Sequence, residues 1–309
     1  MGYRNRKLKV KTQRTRAKLG AGQGQKSKVS LLAPAKINIG LLVKEKLPSG
    51  YHNIETLMVP IKLFDKITIT KKEKEIFFKT NAKELPIDNN LVVKAARLFF
   101  EATKINSGIN IYLKKNIPIG AGLGGGSSDA ASTLLGLNQL FGYPLSFKKL
   151  CKLAVNIGMD VPFFLYKSAC FATGRGEILT SFKTPKVYMV LYTPKYGIST
   201  KWAYQNVDKR KGAGLTDNDF SLMILRKRLV NNDLQGINAL IINDFESLVF
   251  SKYPDLLEIK NNFLSAGTFA ASLSGSGSSL FGLVKQNMIK TLKNYLRKAN
   301  IKVVFTETI

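Results

Sequence analysis

Pro118-Ile119-Gly120-Ala121-Gly122-Leu123-Gly124-Gly125-Gly126-Ser127-Ser128-Asp129-Ala130-Ala131 decides how this chain is organised. Five glycines fall within the seven positions from Gly120 to Gly126. Lacking Cβ atoms, they free the backbone to take positive φ and to aim successive N–H groups at one anion. From Ser127 the sequence turns rich in Ala and Leu, which predicts a helix running to about Gly142. Its unpaired N-terminal N–H groups and positive dipole end would add to the anion site. Ser127 and Ser128 have three roles open to them: helix cap, phosphate contact, or support for Mg²⁺. The phosphate loop of common ATPases is excluded, because the lysine it requires is absent. A dinucleotide-binding unit is excluded as well, since no parallel β-α-β sequence follows.

Outward from this loop, Ile109 to Leu113 reads as the strand that enters it. Upstream, Leu31-Leu32 and the alternating Ile37, Ile39, Leu41 and Val43 predict a strand, as do Ile67 to Thr70 and Ile76 to Phe78. Asn89-Asn90 opens a helix whose apolar positions Leu91, Ala95, Leu98, Phe99 and Ala102 keep a period near 3.6. Downstream come a helix from Ser146, a β-rich stretch over about 169–194 and a mostly helical segment over about 199–264. A strand at Ala270 to Ser272 leads to a second glycine-serine loop, and a strand, a helix and a last strand complete the chain. Strands mixed with helices without a strict repeat predict an α+β protein of two lobes, with a boundary near 183–186.

Composition excludes several alternatives. The 45% hydrophobic and 22% charged residues are those of an ordinary globular protein, and no apolar run is long enough to span a membrane. His52 is the only histidine, which rules out a multi-histidine metal site. Cys151 and Cys170 lie in no metal-ligand spacing and fit a reducing compartment. The net charge of +28 is partly a leader, residues 1–28, which holds ten Lys or Arg and no acid and is expected to be disordered. That leader reads as a nonspecific tail, a nucleic-acid arm or an organelle-targeting segment; the cytoplasm is the expected location, a plastid-type organelle the alternative. A nucleic-acid-binding protein would need basic residues and aromatics on one sheet face and no glycine phosphate loop.

The loop resembles the signature of the superfamily of galactokinase, homoserine kinase, mevalonate kinase and phosphomevalonate kinase (GHMP kinases). That resemblance implies a lobe like ribosomal protein S5 over residues 29–185, a ferredoxin-like lobe over 186–309, and ATP with Mg²⁺ in the cleft between them. Three further segments narrow it: Ala33-Pro34-Ala35-Lys36-Ile37-Asn38, Gly50-Tyr51-His52-Asn53-Ile54-Glu55-Thr56-Leu57, and Gly158-Met159-Asp160-Val161-Pro162-Phe163-Phe164. All three are similar to segments of the 4-diphosphocytidyl-2-C-methyl-D-erythritol kinase family, with Ser49 standing where that family has an aspartate. The resemblance covers about Val29 to Phe305 and implies phosphorylation of the 2-hydroxyl of a cytidylyl sugar alcohol in the non-mevalonate route to isoprenoid precursors. A monomer or weak homodimer is expected.

Site roles follow from the resemblance. Phosphoryl transfer needs an aligned hydroxyl, an acceptor for its proton, and positive charge against the developing phosphate charge. Asp160 matches the carboxylate, although the same residue reads as an N-cap of the helix starting at Val161-Pro162. Lys36 supplies the cation, and Asn38, two residues on along the same strand face, holds either the substrate or Lys36. Tyr51 and Tyr204 are expected to stack on cytosine, His52 to read its edge and Thr200 to line the cleft. Trp202 is the rival for the second stacking face. Ser274, Gly275, Ser276 and Gly277 match the third superfamily loop, while Asn90 lines the nucleotide pocket or caps its helix. The metal ligands are left open.

Overall fold

The computed structural model describes residues 27–86, 89–210 and 221–309. The leader expected over residues 1–28 therefore lies outside the described residues through residue 26. Among the described residues the chain begins with two long antiparallel strands, β1 (Lys28–Lys46) and β2 (His52–Lys72). Strands β3 (Ile76–Thr80), β4 (Gly108–Lys114), β5 (Ala169–Thr173) and β6 (Ile178–Phe182) complete a six-stranded sheet in the order β3-β4-β2-β5-β6, with β1 on β2. Only the β3–β4 pair is parallel. The register of β1 slips between Pro34 and Ala35 and between Asn38 and Leu41. Proline donates nothing to a ladder, so such an irregularity is where a strand tolerates it.

Helices α1 (Leu91–Thr103), α2 (Gly125–Leu140), α3 (Phe147–Ile157) and α4 (Val161–Tyr166) pack together against the first sheet. Their shared core contains Ile67, Ile69, Phe99, Ile111, Leu134 and Phe163, all buried. Each such side chain taken from water contributes about 1.5–3 kcal/mol. The chain changes sheet between Phe182 and Tyr188. Strands β7 (Tyr188–Tyr192), β8 (Ala270–Leu273), β9 (Leu280–Val284) and β10 (Val304–Glu307) form a second, antiparallel sheet in the order β10-β7-β9-β8. With it come helices α5 (Thr200–Arg210), α6 (Ser221–Val230), α7 (Glu246–Lys252), α8 (Pro254–Ser265) and α9 (Ile289–Lys298). A second core joins the sheets: Ile37, Leu57 and Ile61 from the first meet Met189 and Phe281 from the second, with Leu225 of α6. The architecture is α+β and two-lobed, as the sequence predicts.

Two elements differ from expectation. Helix α2 begins at Gly125, two residues before Ser127, because Gly124 takes the left-handed cap conformation at φ 68° and ψ 16°. Strand β2 reaches back to His52, where the sequence shows a strand only from Ile67. Pairing with β1 from Lys46↔His52 to Lys28↔Thr70 holds that length, and a local apolar pattern does not report it.

Candidate active site

One cleft of about 1030 Å³ runs between the lobes. On its wall the glycine loop contributes Pro118, Ile119, Gly120, Ala121, Gly122, Leu123, Gly124, Gly125, Gly126 and Ser127. Gly120, Gly122 and Gly124 all have positive φ, which lets alternate residues turn the chain over the helix start. The first N–H groups of α2 have no partner within the helix, so they are available to phosphate oxygens. At Gly122 the loop also meets the other lobe. A Cβ there would stand 2.4 Å from the carbonyl oxygen of Ser274. Ser279 N donates to Ala121 O at 3.1 Å and Ser274 Oγ to Gly122 O at 3.1 Å.

Strand β1 presents Lys36 and Asn38 on one face. Lys36 Nζ donates to Asn38 Oδ1 at 2.5 Å and lies 3.7 Å from Asp160 Oδ2. Its backbone N donates to Leu123 O at 3.0 Å, which fastens the strand to the glycine loop. Asn38 Nδ2 passes the chain of bonds to Thr56 Oγ1 at 2.8 Å, and that hydroxyl donates to Gly40 O at 2.7 Å. Asn38 thus holds Lys36, one of the two roles open to it. Lys36 is buried, and burial pushes its ammonium below the ordinary lysine value of 10.5, with Asp160 opposing the fall. Asp160 stands at the N-cap position of α4 but makes no side-chain cap bond. The carboxylate, 39% exposed, is free to face the cleft, and the capping alternative falls away.

At the other end of the cleft, the rings of His52 and Tyr204 stack at 5.3 Å with 23° between planes. Phe245 meets Tyr204 edge-on at 4.9 Å. Burial, with the charge of Asp160 nearby, raises the Tyr204 phenol above its ordinary value, so it stays neutral. Tyr51 also lines the cleft, 51% exposed, with the Arg175 guanidinium 5.4 Å from its ring centre. Trp202 packs instead on Tyr253, with the Lys252 ammonium 4.2 Å over its ring, and is not on the cleft wall. Thr200 shares a hydrogen bond with Ser276 at 3.1 Å, and Gly275 and Ser276 line the cleft. Asn90 does both things considered for it: its Oδ1 accepts Val92 N at 2.9 Å, and the residue lines the cleft.

Three expected residues stand behind the wall. Ser128 is fully buried and its Oγ has no partner among the described residues. Ser274 is buried and spends its hydroxyl on Gly122 O, while Gly277 packs toward Ile198 and Leu273. Other residues escaped the sequence reading. Lys115 lies under the start of α2, bridging Asp65 and Asp129, the latter at 2.9 Å. Asp65 also accepts Ile117 N at 2.9 Å and the N–H of Asn116, pinning the turn into the glycine loop. One cation shared by two buried carboxylates leaves a net negative charge, and burial pushes Asp129 up to about 7. A lysine in a basic run and an aspartate between strand residues carry no local signal of this meeting.

The chain matches the models of the GHMP kinases N terminal domain over residues 90–168 and of the GHMP kinases C terminal domain over residues 225–302. It is 40% identical over 258 residues to the 4-diphosphocytidyl-2-C-methyl-D-erythritol kinase of Lachnoclostridium phytofermentans, covering 82% of this chain and 87% of that one. The enzyme of the same name from Clostridium novyi is 37% identical over 281 residues, covering 90% and 99%. Among solved structures, a 4-(cytidine 5'-diphospho)-2C-methyl-D-erythritol kinase superposes with a TM-score of 0.77 at 31% identity, covering 91% of this chain and 99% of that one. A homoserine kinase from Cytophaga hutchinsonii, at 21% identity and a TM-score of 0.71, shares the fold. With most of the motif residues gathered in one cleft and relatives of this closeness over most of its length, the chain belongs to the 4-diphosphocytidyl-2-C-methyl-D-erythritol kinase family of GHMP kinases.

Proposed function

We propose that this protein transfers the γ-phosphoryl group of ATP to the 2-hydroxyl of 4-diphosphocytidyl-2-C-methyl-D-erythritol. The observation that carries the reading is the buried Lys36 held 3.7 Å from an uncapped Asp160. The pair lies in one cleft with a glycine anion loop and a stacked His52–Tyr204 pair. ATP phosphates lie along the loop amides and the N-terminus of α2, with Asn90 at the nucleoside end. Asp160 accepts the hydrogen bond of the substrate hydroxyl and orients it. A carboxylate is too weak a base to deprotonate an alcohol in the ground state, so it takes the proton late, as the O–P bond forms. Lys36 lends positive charge to the transferring group. Cytosine lies against the aromatic end, with Tyr51 and Tyr204 as stacking faces, His52 at the base edge and Thr200 beside the loop of Gly275 and Ser276.

Mg²⁺ fits this oxygen-rich site. The described residues offer no cluster of three His, Cys, Asp or Glu. Mg²⁺ usually keeps water and substrate phosphates as most of its shell, and it needs few protein ligands. Of the two serines at the helix start, Ser127 lines the cleft and is the hydroxyl that would face the ion, while Ser128 stands behind the wall. When bound, the ion neutralises charge on the β- and γ-phosphates. The lobes divide at 185/186, with ATP held mainly by the N-terminal one. No described helix is long and apolar enough to cross a membrane. Free Cys151 and Cys170 agree with a cytoplasmic enzyme, acting as a monomer or weak homodimer. Purified protein given ATP with the cytidylyl alcohol, homoserine or mevalonate tests the reading. Phosphorylation of the first alone is expected; preference for either of the others overturns it.

A further inference from the structure

Four consecutive residues between the lobes each hold a different part of the cleft. Asn243 is buried, and its Nδ2 donates to Leu273 O at 2.8 Å and to Gly275 O at 2.9 Å. Its Oδ1 accepts Phe245 N at 3.0 Å. Asp244 turns the other way: its Oδ2 accepts Val43 N at 2.7 Å and its backbone N donates to Leu41 O at 3.0 Å, on the strand that carries Lys36. Phe245 packs on Tyr204. Glu246 Oε1 accepts Ser272 Oγ at 2.8 Å and Leu273 N at 2.9 Å, just before the second glycine-serine loop.

One of the two carbonyls that Asn243 holds, that of Gly275, lies beside the reacting groups. Gly275 has φ +61°, and a Cβ built on it would lie 3.2 Å from Asn38 Oδ1 and 3.4 Å from Lys36 Nζ. The backbone of residue 275 is therefore laid against the Lys36–Asn38 pair. Two of the carbonyls that define its position, those of Leu273 and Gly275, are both held by the same amide nitrogen. No other side-chain type of this size offers a two-hydrogen donor and an acceptor together in this way.

We infer that Asn243 is a positioning residue for phosphoryl transfer, fixing the loop of residues 274–279 against Lys36 and Asn38 so that the acceptor hydroxyl and the γ-phosphate are held in line. The inference rests on the kinase reading for its kinetic consequence. Its structural content, that one buried amide sets the loop, does not. Asn243→Asp is close to isosteric and keeps the acceptor for Phe245 N, but it turns the donor into an oxygen facing two carbonyls.

Hydrogen exchange and kinetics of Asn243→Asp, with Asn243→Ala as the second variant should the charge prevent folding, test this. Exchange is expected to quicken at the amides of 274–279, where Gly277 N now donates to Ser274 O and Ser279 N to Ala121 O. The kcat should fall by about 10²-fold, the scale of a small misplacement of reacting groups. Equilibrium binding of ATP should stay within about twofold, since the first glycine loop is untouched. Unchanged exchange in the loop overturns the inference. So does faster exchange with kcat preserved, or a loss of ATP affinity with faster exchange throughout the chain, which is general loosening. A wild-type protein that leaves the cytidylyl alcohol unphosphorylated counts against the proposed function instead, and the exchange arm still decides whether Asn243 holds the loop.

Discussion

In the proposed mechanism the reaction centre pairs a buried cation, Lys36, with a carboxylate open to the cleft, Asp160. Lys36 lies behind the loop, where water cannot screen it, and Asn38 and Asp160 are its polar partners in the site. Removing either charge leaves the other without its counterpart at the point where phosphate charge develops. Lys36→Ala and Asp160→Asn are each expected to lower kcat by about 10²-fold or more, with folding retained by circular dichroism. Near-wild-type turnover in either variant removes that residue from the mechanism. In the proposed function Tyr204 acts on cytosine, farther from the chemistry. Tyr204→Ala deletes a stacking face worth ~1–3 kcal/mol, so KM for the cytidylyl alcohol should rise while KM for ATP hardly moves. Tyr204→Phe keeps the ring and should keep most activity. If Ala leaves both KM values unchanged, cytosine stacks elsewhere, and the exposed ring of Tyr51 beside Arg175 is the face that remains.

Among the elements, the start of α2 concentrates the opposing forces. The helix dipole and the free N–H groups favour an anion above it, while Asp65 and Asp129 put two carboxylates below it around Lys115. Asp129 is pushed from 3.8 to about 7 by burial. A carboxylic acid whose folded-state value is raised contributes stability that is fully present below its unfolded value and is lost as pH climbs through the folded value. Asp129→Asn imitates the neutral form at every pH. Its melting temperature relative to wild type should therefore improve as pH rises from about 5 to about 8. A gap that stays constant across that range would show that Asp129 ionises without cost.

At the scale of the whole molecule, the cleft is assembled from both lobes, and every side chain placed in it lies at or beyond Lys36. The first strand begins at Lys28, with Ser27 O accepting Lys71 N at 3.0 Å. Deleting residues 1–26 is thus expected to leave kcat and both KM values unchanged, measured by steady-state kinetics with ATP and the cytidylyl alcohol on the shortened protein. A folded but inactive product would show that the basic leader reaches the site.

The residue types and order of the glycine loop, Lys36-Ile37-Asn38, Tyr51-His52 and Met159-Asp160-Val161 determine the family from local sequence alone. They can do so because each motif is local, a backbone geometry and a reactive group within a few residues. The α1 period and its Asn90 cap are legible for the same reason. What the sequence leaves open is whatever depends on distant partners. The length of β2 is set by cross-strand pairing, and the choice of Asn38 as support for Lys36 is set by burial. The exclusion of Trp202 from the cleft comes from its packing on Tyr253 and Lys252. The Lys115 cluster brings together β2, the turn after β4, and α2, and Asn243 joins two loops that are about thirty residues apart in the chain. Only the folded core brings such groups within hydrogen-bond reach, because what binds them is proximity in space and the removal of water, and neither is written in the local order of residues.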